Sequence, residues 1–325
     1  MPRRLSTRHA PVTALAASAV LLVAGCAAPA ATADRVASAA ASTPSSAVPP
    51  SAASSTGSTS TTPNSVNGSK SPVLVPPAGF AWTASPGSAA VRVATLSGGA
   101  TSLMWMDPSR LRFRFVPGYR YPEGSPASAA DRTPSTWVPR MVAAFNSGYM
   151  LKDHVGGYYY LGRTVVPLRA GLATFVIHKD GTLAVGVWGR DLGMTPDTLV
   201  VRQNLPPLVL DGVSRASVHD GPRTLGISNG NLPRANRSAL GRLADGSFVF
   251  VYAHDVTAAT LGQTLVSVGV REAMMLDMNI SWPTGYVYSH VGGQVVGARI
   301  NHWTVRPPST YLTRFKKDFI AVEGI

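Results

Sequence analysis

The chain has 325 residues, 45% of them hydrophobic and only 14% charged, with a formal net charge of +13 and a single cysteine. One cysteine excludes an intramolecular disulfide framework, a thiolate metal cluster and, since it is Cys26, a cysteine nucleophile in the folded part. The positive balance fits anionic partners such as lipid headgroups, phosphate-bearing wall polymers or nucleic acid.

The amino terminus reads as an address rather than as structure. Arg3, Arg4 and Arg8 form a basic start, and an apolar run from about Val12 to Val23 follows. This is a secretory signal peptide in form, too short for a comfortable membrane span. Its end, Leu22-Val23-Ala24-Gly25-Cys26, resembles a bacterial lipobox, in which the cysteine becomes the lipid-bearing first residue of the mature chain. Residues 1–26 are therefore expected to be a lipoprotein signal, with Cys26 as the lipidation site and the outer face of the cytoplasmic membrane as the destination. An exported lipoprotein argues against nucleic acid as a partner. Residues 27–75 are rich in Ala, Ser, Thr and Pro, with almost no apolar residue larger than Val. No core can offset the cost of ordering such a chain, so a disordered tether is expected.

Residues 76–325 are long enough for one domain with a sizeable core. Apolar runs are short and bounded by Gly, Asp or Pro, which predicts strands at 90–95, 102–106, 111–116, 141–145, 157–161, 173–178, 183–188, 199–202, 207–210, 238–243, 247–252, 273–277, 285–289 and 311–315. Asp180-Gly181 and Asp245-Gly246 lie between alternating apolar runs, the strongest short hairpin signal. In Arg110-Leu-Arg112-Phe-Arg114 the alternation suits the solvent face of a strand. Leu261, Leu265 and Val268 recur at helical spacing over 257–268, and 135–144 is read as opening with a second short helix. No βαβ period repeats. The expected class is α+β: a large mixed or antiparallel sheet with a few covering helices.

Several sheet-to-loop junctions carry polar residues. A strand ends in Asn146-Ser147-Gly148-Tyr149, where Asn and Gly suit a tight turn. Another ends in Asp211-Gly212. A third stretch, Asn236-Arg237-Ser238-Ala239-Leu240-Gly241, enters the Asp245-Gly246 hairpin. Last comes Met275-Leu276-Asp277-Met278-Asn279-Ile280-Ser281-Trp282, where an apolar strand delivers a carboxylate to what reads as the rim of a sheet.

In order and spacing these stretches resemble the phosphodiester glycosidase family, over residues 140–320. The family's Asn-Gly-Gly-aromatic turn is matched by 146–149, and its Arg-Thr-Ala-Ile-Gly-like strand by 237–241. Its Gly-Leu-Thr-Leu-like helix is matched by Gly262-Gln263-Thr264-Leu265, and its Asn-Leu-Asp-Gly-Gly-Gly-Ser-like turn by 275–281. Lysosomal members remove N-acetylglucosamine to uncover mannose 6-phosphate. The resemblance implies a hydrolase of glycosyl phosphodiesters, here in the cell envelope with a glycan or glycolipid phosphodiester as partner. The alternative is a non-catalytic wall- or glycolipid-binding lipoprotein with the same fold.

The chemistry needs a carboxylate for the oxocarbenium-like carbon or the attacking water, and a cation for the phosphate. Asp277 is the expected carboxylate and Arg237 the expected cation. Asn146, Gly148, Asp211, His254, Asp255, Asn279 and Ser281 are the expected substrate-binding set. Tyr158-Tyr159-Tyr160 and Trp282 are candidate sugar platforms, His154 a weaker polar candidate, and Arg223-Thr224-Leu225-Gly226 a competitor for the Arg237 motif. The seven histidines show no metal-ligand spacing. No cofactor is expected, and a divalent cation is left open. Met278 and Ile280 replace glycines of the family turn; both are poor at φ > 0. The loop is therefore expected to take another shape or to bind a different group.

Overall fold

The computed structural model describes residues 73–96, 98–153, 156–216, 225, 230 and 232–325. The lipobox with Cys26, the tether almost to its end, His154, and Arg223, Thr224 and Gly226 lie outside these residues.

Strands dominate. An eight-stranded sheet runs in the spatial order Thr83–Ser85, Ser88–Thr95, Thr101–Met106, Phe248–Val256, Ala235–Leu243, Val270–Met278, Val209–Leu210, Val213–Ser214. A second sheet of five orders Arg163–Val166, Tyr158–Tyr160, Thr198–Gln203, Ala173–His178, Leu183–Val187. A third, also of five, orders Gln294–Arg299, Gly285–Val291, Met141–Asn146, Phe319–Gly324, Leu111–Val116. Every ladder between these strands is antiparallel.

This bears out the antiparallel sheet and corrects the covering helices. Among the described residues the only α-helix is Ala258–Ser267, capped by Thr257, whose hydroxyl accepts from Thr260 N at 3.1 Å. The predicted opening helix at 135–144 is a single 3₁₀ turn, Val138–Arg140, before the strand begins. The predicted strand at 311–315 is not one. Tyr311 ends a 3₁₀ turn, Pro308–Tyr311, and the strand lies further on at Phe319–Gly324. Tyr311, Phe315 and Phe319 are instead a packed aromatic cluster, with Tyr311 and Phe319 stacked at 4.1 Å. Their apolar character comes from that cluster rather than from strand alternation.

Side-chain alternation splits the interior. Met104, Phe250, Met274 and Leu276 of the large sheet share a core with Phe113, Phe145 and Ile320 of the third and Phe175, Ile177 and Val200 of the second. On the opposite face Leu103, Val249, Ala273 and Met275 pack with Leu261 and Leu265 of the helix. A Cβ at Gly262 would collide with Ser214 Oγ, so the glycine of the helix motif lets the helix sit close on the Val209–Ser214 hairpin.

Candidate active site

The last strand of the resemblance, Val270–Met278, holds the key irregularity. Met275 pairs with Ala239 and Met278 with Arg237, so three steps on one strand oppose two on the other. This β-bulge inserts an extra residue and re-aims the side chains around it. Met275 and Met278 both join the helix-side core, which strict alternation forbids. Asp277 consequently meets Lys317, which comes from the segment leading into Phe319–Gly324 of the third sheet.

The Asp277 carboxylate is buried, at 2% exposure, and not on a solvent rim as the sequence suggested. Its Oδ2 accepts from the Lys317 ammonium, itself buried, and Oδ1 accepts from Met278 N at 2.8 Å. Burial raises the carboxyl well above its ordinary range, to about 6; the Lys317 charge and both hydrogen bonds pull the other way, and the neighbouring Asp318 adds to the rise.

Ser238, the second residue of the Arg237 motif, joins two strands. Its Oγ accepts from Asp277 N at 3.2 Å and from Asn146 Nδ2 at 2.9 Å. Asn146 is buried and uses its remaining groups on Ser147 O at 2.9 Å and Thr284 N at 2.9 Å. It therefore fixes the turn and does not face open space. A Cβ at Gly148 would lie 3.0 Å from Asn204 Oδ1. That oxygen accepts from Tyr149 N at 3.1 Å, and Asn204 Nδ2 donates to the carbonyls of Met275 and Leu276. Gly148 thus permits one asparagine to lock the first motif onto the strand that carries Asp277.

Arg237 does not take the place expected of it. It is buried, donating from Nε to Val256 O at 3.1 Å and from a terminal nitrogen to Pro233 O at 3.2 Å. Its other terminal nitrogen and the Tyr149 hydroxyl both reach the Met275 sulfur, at 3.4 and 3.1 Å. Burial lowers its pKa, and no carboxylate lies within ion-pair distance among the described residues. The guanidinium acts as a strut between strand ends.

Asp211 is also elsewhere. It forms a tight hairpin turn with Gly212, both at positive φ, beside Arg271. Arg271 lies six positions before Asp277, about 20 Å along a strand. The Asp211 carboxylate is exposed and pairs with Arg190 at 2.9 Å.

The other expected residues do converge. A cavity of about 400 Å³ is lined by Leu232, Arg234, Ala235, Asn236, His254, Asp255, Asn279, Ile280, Ser281 and Trp282. It collects four members of the expected binding set from two separate stretches, with Trp282. Asp255 and Asn279 hold left-handed conformations, φ +47° and +78°. Such positions cluster at ligand sites. Of the three residues replacing the family glycines, only Asn279 takes positive φ, and asparagine tolerates it. Met278 stays in the strand and Ile280 projects outward. Asp255 pairs with Arg234 at 3.1 Å, and its N–H donates to Asn236 Oδ1. His254 stacks flat on Trp303, and its buried Nδ1 has no hydrogen-bond partner among the described residues.

Asp277 is two residues along the chain from this wall, and its partner Lys317 packs on Trp282 of the wall. The indole carries Lys317 Nζ at 4.8 Å, Lys316 Nζ at 4.9 Å and the Arg306 guanidinium at 5.1 Å from its centroid. Tyr158, by contrast, is buried in the shared core beside Phe115 and is no sugar platform. A larger cavity, about 520 Å³, lies against Thr182, Asp191 and Arg242 and contains none of the residues singled out for binding.

Sequence reasoning missed Lys317, Ser238 as a junction, Asn204, Arg202, Asp318 and Arg306. Ser238 stood in the Arg237 stretch, but its partner is 39 residues away, and the partner of Lys317 is 40 away.

The phosphodiester glycosidase family matches residues 139–279. A search of the curated proteins finds no match. Among solved structures, the catalytic domain of zebrafish N-acetylglucosamine-1-phosphodiester alpha-N-acetylglucosaminidase, auto-inhibited by its pro-peptide, aligns at 16% identity and a TM-score of 0.43, covering 72% of this chain and 81% of that one. A hypothetical protein from Synechocystis aligns at 13% identity and a TM-score of 0.38, covering 72% and 61%. The family likeness of this chain therefore rests on residues 139–279, which match the phosphodiester glycosidase family.

Proposed function

We propose that the protein is an exported, lipid-anchored hydrolase that cleaves a glycosyl phosphodiester in the cell envelope, with Asp277 as its carboxylate. The observation that carries this reading is the buried Asp277–Lys317 pair, two residues along the chain from a cavity lined by His254, Asp255, Asn279 and Ser281. Cys26 would hold the domain at the membrane and the 27–75 tether would set its reach.

Hydrolysis breaks the bond between the anomeric carbon and the phosphate oxygen. The phosphomonoester departs with the bonding pair, and water supplies the new sugar hydroxyl. A phosphomonoester leaves readily, so the work is charge control at the carbon and at the water. Ionised Asp277 does either: it faces the developing cation, or it takes the proton from water. Lys317 holds it ionised, while burial keeps its basicity higher than that of a surface carboxylate. Trp282 lines the cavity, and its ring packs against Lys317. Movement of that side chain would open the buried pair to substrate. His254, Asp255, Asn279 and Ser281 then orient the sugar.

The pH profile tests the role. Only the ionised form acts, so kcat/KM should rise as pH climbs through about 6. An unperturbed aspartate would place that limb near ~4. A limb near 4, or none, removes Asp277 from the rate equation.

One observation favours the binding-only reading: Asp277 is 2% exposed and does not itself line the cavity. That reading predicts saturable binding of envelope fragments without release of sugar.

A further inference from the structure

The cavity joins two surfaces of opposite character. On one side apolar side chains stand in the open. Ile280 is 72% exposed and Leu232 58%, and both line the cavity. Trp303, 45% exposed, lies flat on His254 of the same wall, with ring centroids 3.9 Å apart. An isolated surface isoleucine needs no explanation; three large apolar groups around one cavity mouth do.

On the other side are cations. Arg306 is fixed by donation from Nε to Ser281 O at 2.7 Å and packs on the Trp282 ring with Lys316 and Lys317. Of the three, only Lys317 has a carboxylate partner among the described residues. The Ser281–Trp282 wall therefore carries uncompensated positive charge.

A free sugar phosphate would use the cations and leave the apolar rim wet. A neutral lipid would use the rim and leave the cations idle. We propose that the substrate is a sugar joined through its phosphodiester to an aliphatic chain. The phosphate faces Arg306 and Lys316, and the first carbons of the chain lie on Ile280, Leu232 and Trp303. This rests on the glycosidase reading and narrows it to lipid-linked substrates.

The test uses the full chain and two diesters of N-acetylglucosamine 1-phosphate, one with a methyl group and one with an octyl group kept below its micelle concentration. The octyl ester should show the higher kcat/KM, by roughly 10-fold or more for a chain partly withdrawn from water. The double substitution Ile280→Ser with Leu232→Ser should bring the ratio close to one, while Arg306→Ala should lower both esters alike. Equal rates for the two esters, or a ratio indifferent to the rim substitutions, overturn the proposal. If neither ester is cut, the glycosidase reading is what has failed. Calorimetry with octyl phosphate against inorganic phosphate then decides the narrower point: tighter octyl phosphate binding, weakened by the rim substitutions, supports the amphiphile site, and equal or absent binding overturns it.

Discussion

Asp277→Asn should lower sugar release by about 10³-fold or more, the scale of losing a group that meets charge in the transition state. The same change leaves the Lys317 ammonium buried without a counter-ion, which costs about 3–5 kcal/mol of folding stability. Inactivity alone would therefore not separate chemistry from unfolding. The companion variant Asp277→Asn with Lys317→Met removes both charges. It should recover most of the urea midpoint lost by the single variant, because no unpaired charge is then left buried. It should recover none of the activity. If the double variant regains activity along with stability, Asp277 is a structural partner of Lys317 and nothing more.

Arg202→Met should be the most destabilising single change outside that pair, again by about 3–5 kcal/mol. Arg202 and Asp318 are both fully buried and meet at 3.0 Å. Removing the guanidinium strands the Asp318 carboxylate. It also frees the Asn146–Tyr149 turn, since Arg202 donates to Tyr149 O and Ser147 N donates to Asp318 O at 3.2 Å. Arg202 packs on the Tyr158 ring at 5.8 Å, so its loss is felt in the core as well. Denaturant unfolding should show the lowered midpoint, and Arg202→Met with Asp318→Leu should restore most of it. A single variant as stable as the parent would mean that the pair contributes nothing.

The contrast between these residues and the strands explains what the sequence made legible. Strands such as Leu111–Val116 announce themselves locally: Leu111, Phe113 and Phe115 are buried while Arg112 and Arg114 are partly exposed, with Arg114 paired to Glu323 at 2.7 Å. The two Asp-Gly hairpins and the helix are also encoded within a dozen residues. The cavity was partly legible because two of its walls, His254-Asp255 and Asn279 to Trp282, are each short and contiguous. What the sequence hid is non-local. Lys317 carries no local sign of a partner, yet the strand it leads into, placed between Met141–Asn146 and Leu111–Val116, brings it to Asp277. Arg202 ended a predicted strand with no partner in view, since Asp318 lies 116 residues on. Arg237 misled because its surroundings are non-local: its buried guanidinium braces strand ends at Val256 O and Pro233 O.

The glycine-to-Met-Asn-Ile change likewise reads differently in three dimensions. The turn keeps one left-handed residue, Asn279, at the middle position. Met278 fills core space and Ile280 forms part of the cavity mouth.

The central claim is that the bond broken is the glycosidic one. Hydrolysis of a sugar 1-phosphodiester by the full chain in ¹⁸O-labelled water, followed by phosphorus NMR of the released phosphomonoester, tests it most directly. Cleavage between carbon and oxygen leaves the phosphate unlabelled, and that is the result expected here, with Asp277 ionised at the anomeric side. Label in the phosphate would mean attack at phosphorus, and no release at any pH would mean a binding protein; either result contradicts the account.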